Sequence, residues 1–224
     1  MTLGARYLII KTVDEHLLRF NPQKEYVFID CETFNLCLNE FHNVAWQVSM
    51  IKVKNDKKID QRDFFIDWDT ELKISKEAKF ITKYNEKEVK SKSVPPEKAL
   101  PDIKKWLNEC DHIVGHNILG FDIYIIKWMF EYMNAPYQHL TPKVIDTNCL
   151  AKGLKMQMPY DNKSDFLAYQ YKMYHIRRKG IRTRLDYLAK EYEIKHDETK
   201  LHDAIFDLEI NFKVWKKLKW QIEV

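Results

Sequence analysis

The sequence has no two cysteines at CxxC spacing; its four cysteines, Cys31, Cys37, Cys110 and Cys149, are scattered. Cys31, Cys37 and His42 lack a fourth ligand at finger-like spacing, which argues against a zinc site and for reduced thiols in a cytosol-like compartment. No apolar run approaches the ~18 residues of a membrane span, so a soluble, cytoplasmic protein is expected. The opening residues, MTLGARYLIIKTVDEHLL, are interrupted by Lys11 and Asp14, so they do not read as a signal peptide. Neither an internal repeat nor a low-complexity linker divides the chain, so residues 1–224 are expected to form a single domain. Charge of one sign is also scarce in excess: 37 basic against 33 acidic residues give +4. That balance tolerates a nucleic-acid partner without pointing to one.

What is present is a folding sequence. Hydrophobic residues make up 45% and aromatics 13% of the 224 residues, enough to build a core. Residues 26–32 (YVFIDCE) read as a buried strand that ends in polar residues. Residues 44–53 and 59–67 read as two further strands, antiparallel neighbours. After a charged stretch with Pro95 and Pro96, an amphipathic helix is expected over 97–109, with Leu100, Ile103, Trp106 and Leu107 on one face. HIVG at 112–115 reads as a short core strand, 121–133 as an apolar helix, and 143–146 as a strand. Asp146 would then cap a helix running to about Lys152. Helices over 185–194 and 203–219 close the chain, the lysines at 213, 216, 217 and 219 on a solvated face. Strands first, then alternating helices and strands, predict an α/β fold with a mixed sheet flanked by helices.

Chemistry concentrates in three segments. Asp30 and Glu32 close the first strand, and strand alternation sends both to the same side, with Cys31 opposite. Two neighbouring carboxylates with no adjacent cation raise each other's pKa unless a cation lies between them, and all-oxygen ligands suit Mg²⁺ or Mn²⁺. Alone, such a pair also fits an exposed strand end. The second segment runs from His116 to Asp122, which enters the first turn of the apolar helix, where a carboxylate suits the helix dipole. The third is His202-Asp203-Ala204-Ile205-Phe206-Asp207. Five helical residues turn roughly 140° beyond a full rotation, so His202 and Asp207 would not share a helical face. Asp203 as N-cap leaves His202 in the preceding loop and Asp207 one turn inside the helix.

Together these segments resemble the DEDD exonuclease superfamily in its histidine-containing DEDDh (DnaQ-like) branch. That branch includes the proofreading epsilon subunit of bacterial DNA polymerase III, ribonuclease T and oligoribonuclease. The motif DxET followed by leucine appears as Asp30, Glu32, Thr33 and Leu36. The second appears as Gly115-His116-Asn117 with Phe121-Asp122, and HxAxxD as His202, Ala204 and Asp207. The tyrosine branch would place tyrosine where Asp203 stands. Resemblance covers about residues 26–215. Phe34 and Asn35 replace the family's frequent threonine and glycine, and a basic insertion near 155–184 is longer than in compact members.

The resemblance implies a ribonuclease H-like fold, a core of about 26–219, and a 3′→5′ exonuclease releasing nucleoside 5′-monophosphates from single-stranded ends. Two divalent ions, Mg²⁺ or Mn²⁺, would be held by Asp30, Glu32, Asp122 and Asp207 and clamp the scissile phosphate at ~3.5–4 Å separation. His202 would take the proton from the attacking water. Thr33, Phe34, Leu36 and Asn117 would meet the terminal nucleotide, with core packing the competing role for Phe34 and Leu36 and a structural one for Asn117. His116 reads as structural. Between Lys163 and Arg184, seven basic residues face one acid, with Tyr169, Tyr171 and Tyr174 interleaved. Arg177, Arg178 and Arg182 are the candidates for phosphate contacts, a solvated cationic face the alternative. The expected partner is a single-stranded DNA or RNA 3′ end, DNA leading. DNA repair, proofreading and a polymerase or replication partner are compatible with the family. RNA 3′-end trimming, a catalytically silent binding module and a ribonuclease H-like endonuclease are the other readings.

Overall fold

The computed structural model describes residues 16–38, 43–68, 72–195 and 204–224. Among them, five strands form one mixed sheet: β1 (Tyr26–Thr33), β2 (Ala45–Lys54), β3 (Lys57–Phe65), β4 (His112–Gly115) and β5 (Val144–Asp146), in the order β3-β2-β1-β4-β5. The pairs β1–β2 and β2–β3 are antiparallel, as expected for neighbouring strands in sequence, whereas β4 and β5 add in parallel after helical crossovers. A two-residue turn joins β2 to β3. Asn55 and Asp56 both have positive φ, 53° and 55°, the conformation a tight hairpin needs and one that these residue types tolerate.

Helices cover both faces. They are α1 (Lys76–Ile81), α2 (Glu86–Lys92), α3 (Pro96–Glu109), α4 (Asp122–Tyr132), α5 (Thr147–Lys155), α6 (Phe166–His175), α7 (Leu185–Glu191) and α8 (Ala204–Leu218). Alternation along β1 sorts its side chains. Val27, Ile29 and Cys31 join Leu100, Ile103 and Leu107 of α3 and Ile126, Met129 and Phe130 of α4 in one core. Tyr26 and Phe28 join Leu150 of α5, Leu188 of α7, and Leu208, Val214 and Trp215 of α8 in the other. Burying each such side chain stabilises the fold by about 1.5–3 kcal/mol. The second face is also the face of Asp30 and Glu32, so α8 lies over the carboxylate end of β1.

Three helices were not legible in the sequence. The charged stretch before Pro95 holds α1 and α2, each capped locally: Ser75 Oγ accepts from Ala78 N, and Asn85 Oδ1 from Glu88 N. The basic segment contains α6, and its Gln170, fully buried, substitutes for a missing strand at the sheet edge. The Gln170 amide accepts from Asp146 N at 2.7 Å and donates to Val144 O at 3.0 Å. A buried edge needs such partners. One lysine of the final helix also departs from the expected solvated face. Lys219 is 3% exposed and its Nζ bonds Asp56 Oδ1 at 2.5 Å, pinning the β2–β3 turn to the end of α8. All four cysteines are free, Cys37 alone of them exposed. No helix among the described residues is long and apolar enough to cross a membrane.

Candidate active site

The parallel strand β4 pairs with β1 only from Tyr26 to Phe28, so the outer half of β1 projects past its neighbour. The backbone N–H of Cys31, uncovered there, donates to Asp122 Oδ1 at 3.0 Å. Asp122 begins α4, on the opposite face from α8, yet this bond brings its buried carboxylate to the end of β1. Asp30 and Glu32 stand half-buried on the α8 face, opposite Ser49 and Gln47 of β2. Asp207 lies in the first turn of α8. Four carboxylates from three separate elements therefore meet around one strand end.

Their electrostatics follow from that gathering. Burial raises Asp30 well above the usual carboxylate range, and the charges of Glu32, Asp122 and Asp207 raise it further. Glu32 is pushed up to about 7 by burial, then by Asp122 and Asp207. Asp122 also reaches about 7, burial outweighing the N–H bonds that favour its ionised form. Among the described residues, no three histidine, cysteine or acidic side chains are drawn together closely enough to hold an ion as they stand. Mutual repulsion opposes closer approach without a cation. By donor chemistry the set fits a hard divalent ion: all its donors are carboxylate oxygens, whose negative charge such an ion would offset. His202 lies outside the described residues, as do Asp203 and His42.

The second motif is held by a buried acid whose role goes beyond the helix cap read from sequence. Asp146 Oδ1 caps α5 through Asn148 N and Cys149 N, at 2.9 and 3.2 Å. The same carboxylate accepts from Asn117 N at 3.0 Å and Leu119 N at 3.1 Å, so it clamps the loop that leads into Asp122. Asn117 takes a left-handed conformation there, φ 69°. His116 Nδ1 bonds Thr147 Oγ1 at 3.0 Å, and burial lowers its pKa to about 4, so it is neutral at physiological pH.

The candidates for substrate contact divide. Thr33 is buried and its hydroxyl donates to Asn35 O, shaping the loop after β1. Phe34 is half-buried against the core and lies 6.3 Å from the Tyr84 ring, bordering a hollow of about 770 Å³ with Trp68 and Leu72. Leu36 is 41% exposed. Arg177 and Arg178 line a groove of about 470 Å³ together with Lys152, Lys179 and Tyr174. Arg182 instead lies over the Tyr187 ring, 5.1 Å from its centroid. A second hollow, about 410 Å³, contains Asp207, His116, Arg184 and Asp186. Asn117 and Asn148 border both. Asn148, Thr183 and Asp186 carry no sequence signal for a site; folding alone brings them there.

The sequence profile of the exonuclease family (RNase_T) matches residues 27–215. No curated protein matches the chain. Among solved structures, E. coli exonuclease I in complex with a dT13 oligonucleotide superposes with a TM-score of 0.66 at 19% identity, covering 88% of this chain and 41% of that one. Its complex with a dA16 oligonucleotide gives 0.68 at 17%, covering 89% and 43%. The zinc-bound E. coli exonuclease I–single-stranded DNA complex gives 0.68 at 18%, covering 89% and 41%. This chain thus spans about two fifths of the length of those proteins, and at such identities the likeness establishes the ribonuclease H-like exonuclease fold. A profile match over most of the chain, on a mixed sheet with carboxylates gathered at the end of its central strand, makes this protein a member of the exonuclease family, within the DnaQ-like 3′→5′ exonuclease superfamily.

Proposed function

We propose that the chain acts as one exonuclease domain that shortens single-stranded nucleic acid from its 3′ end by metal-dependent hydrolysis, releasing nucleoside 5′-monophosphates. The observation that carries this reading is the convergence of Asp30, Glu32, Asp122 and Asp207: burial raises Asp30 and Glu32, and the charges of Asp122 and Asp207 raise both further. Its family generally uses divalent metal ions. Asp30, Glu32, Asp122 and Asp207 would hold two of them, Mg²⁺ or Mn²⁺. When bound, such ions neutralise the carboxylates, lower the pKa of water and stabilise charge on the leaving oxygen. His202 supplies the base for the attacking water. Leu36, exposed beyond β1, meets the terminal base, and Arg177 and Arg178 meet phosphates farther along the strand. DNA is favoured as substrate because the structurally similar exonuclease I binds dT13 and dA16.

The test is a time course on 5′-labelled single-stranded DNA and RNA of matched sequence, with Mn²⁺, Mg²⁺ or EDTA. A descending ladder that needs metal, and that Asp30→Ala and Asp207→Ala each abolish with the fold intact, is expected. Full turnover by cleanly purified Asp30→Ala protein would sink the assignment. The faster of the two strands decides the sugar.

A further inference from the structure

The two hollows beside the carboxylates differ in charge. Asp207, Asp186 and Arg184 line one, with Arg184 Nε 3.3 Å from Asp186 Oδ1, whereas the other is lined by Lys152, Arg177, Arg178 and Lys179 with no carboxylate among the described residues. A strand that runs from Asp207 toward the cations of the second groove crosses the seam between the two hollows. Asn117 and Asn148 form that seam, and one buried group sets both: Asp146 Oδ1 accepts the backbone N–H of Asn117 at 3.0 Å and of Asn148 at 2.9 Å. The Asn148 side chain is fixed a second time, by the Thr183 hydroxyl at 2.9 Å. A carboxamide has two N–H donors and one acceptor oxygen. The Thr183 bond engages one of these positions, so at least one N–H remains for the seam whichever way round the amide sits. A neutral donor suits this place. It can bond a phosphate oxygen without the attraction to Asp207 that a lysine or arginine would feel, and so without drawing charge from the carboxylates.

We propose that Asn148, held by Asp146 and Thr183, is a specificity-determining residue that binds the phosphate next on the 5′ side of the scissile one. This rests on the exonuclease reading above and narrows it. The preferred substrate is then an oligonucleotide with at least one further internal phosphate, which a mononucleotide ester lacks.

The experiment compares the p-nitrophenyl ester of thymidine 5′-monophosphate with a tetrathymidylate, in wild type, Asn148→Ala and Asn148→Asp proteins. Loss of one hydrogen bond to a charged group should lower the ratio of kcat/KM for the tetranucleotide to that for the ester about ten- to a hundredfold in Asn148→Ala. Asn148→Asp, which sets a carboxylate against the phosphate, should lower it further. An unchanged ratio overturns the proposal, including the case where both substrates slow equally because the variant has only disturbed the fold. Fluorescence anisotropy of a labelled octathymidylate in Ca²⁺ separates the two readings. A wild type that cleaves neither substrate, yet binds the octamer more tightly than Asn148→Ala does, would keep the seam and remove the nuclease. Equal binding by both proteins would remove the seam.

Discussion

Replacing Glu32 by Gln should make the metal-free protein more stable while removing its activity. Glu32 is pushed up to about 7 against an ordinary value near 4.5, by burial and by Asp122 and Asp207. A gap of that size, at ~1.4 kcal/mol per pH unit, corresponds to roughly 3 kcal/mol, and relaxation of the neighbouring carboxylates reduces it to about 2–3. The folded state holds this proton more tightly than the unfolded chain. The associated stability is therefore complete below about 4.5 and is lost as pH rises through about 7. Above that pH, the wild type carries an ionised Glu32 that the fold disfavours, and Gln, of the same shape, does not. For a chain of this size the gain corresponds to roughly 4–12 °C in Tm. Thermal melts in EDTA at pH 8 and pH 4 measure it. A gain at pH 8 that vanishes at pH 4, and that shrinks when Mn²⁺ is added to both proteins, is expected. An equal gain at both pH values would assign the effect to packing, and a lower Tm at pH 8 would refute the electrostatic reasoning outright.

Three other perturbations test the frame around the site. Gly153→Ala places a Cβ 1.8 Å from the Tyr169 hydroxyl, which itself donates to Met158 O, so urea unfolding should show a loss of roughly 1–3 kcal/mol that Tyr169→Phe partly restores. Asp146→Ala leaves the N–H groups of Asn117, Leu119, Asn148 and Cys149 without their acceptor. A destabilisation of about 3 kcal/mol or more, by chemical denaturation, is expected, with the Asn variant intermediate. Arg177→Ala with Arg178→Ala should flatten the plot of log affinity for single-stranded DNA against log salt by about 1.4. Adding Arg182→Ala, whose guanidinium lies over Tyr187, should change it little further.

The order of strands and helices, and the three carboxylate-bearing segments, were written in the chain because they depend on local rules. Alternation along YVFIDCE puts Asp30 and Glu32 on one side, and the apolar run after Asp122 can only be a helix facing a core. Asp146 as a cap follows from its place before a helix. The short helices α1 and α2 were hidden because charged residues dominate their exposed faces, with Ala78 and Val89 their only fully buried side chains among the described residues. Tertiary structure decided the rest, since these contacts join residues far apart along the chain. The Asp122–Cys31 bond spans 91 residues, Lys219–Asp56 163, and Thr183–Asn148 35. Periodicity tells which face of an element is apolar; it does not tell which polar side chain on another element will satisfy a given N–H or amide. That choice is made when helices pack on the sheet, and it is what set Gln170 against β5 and brought Asn148 to the seam beside Asp207.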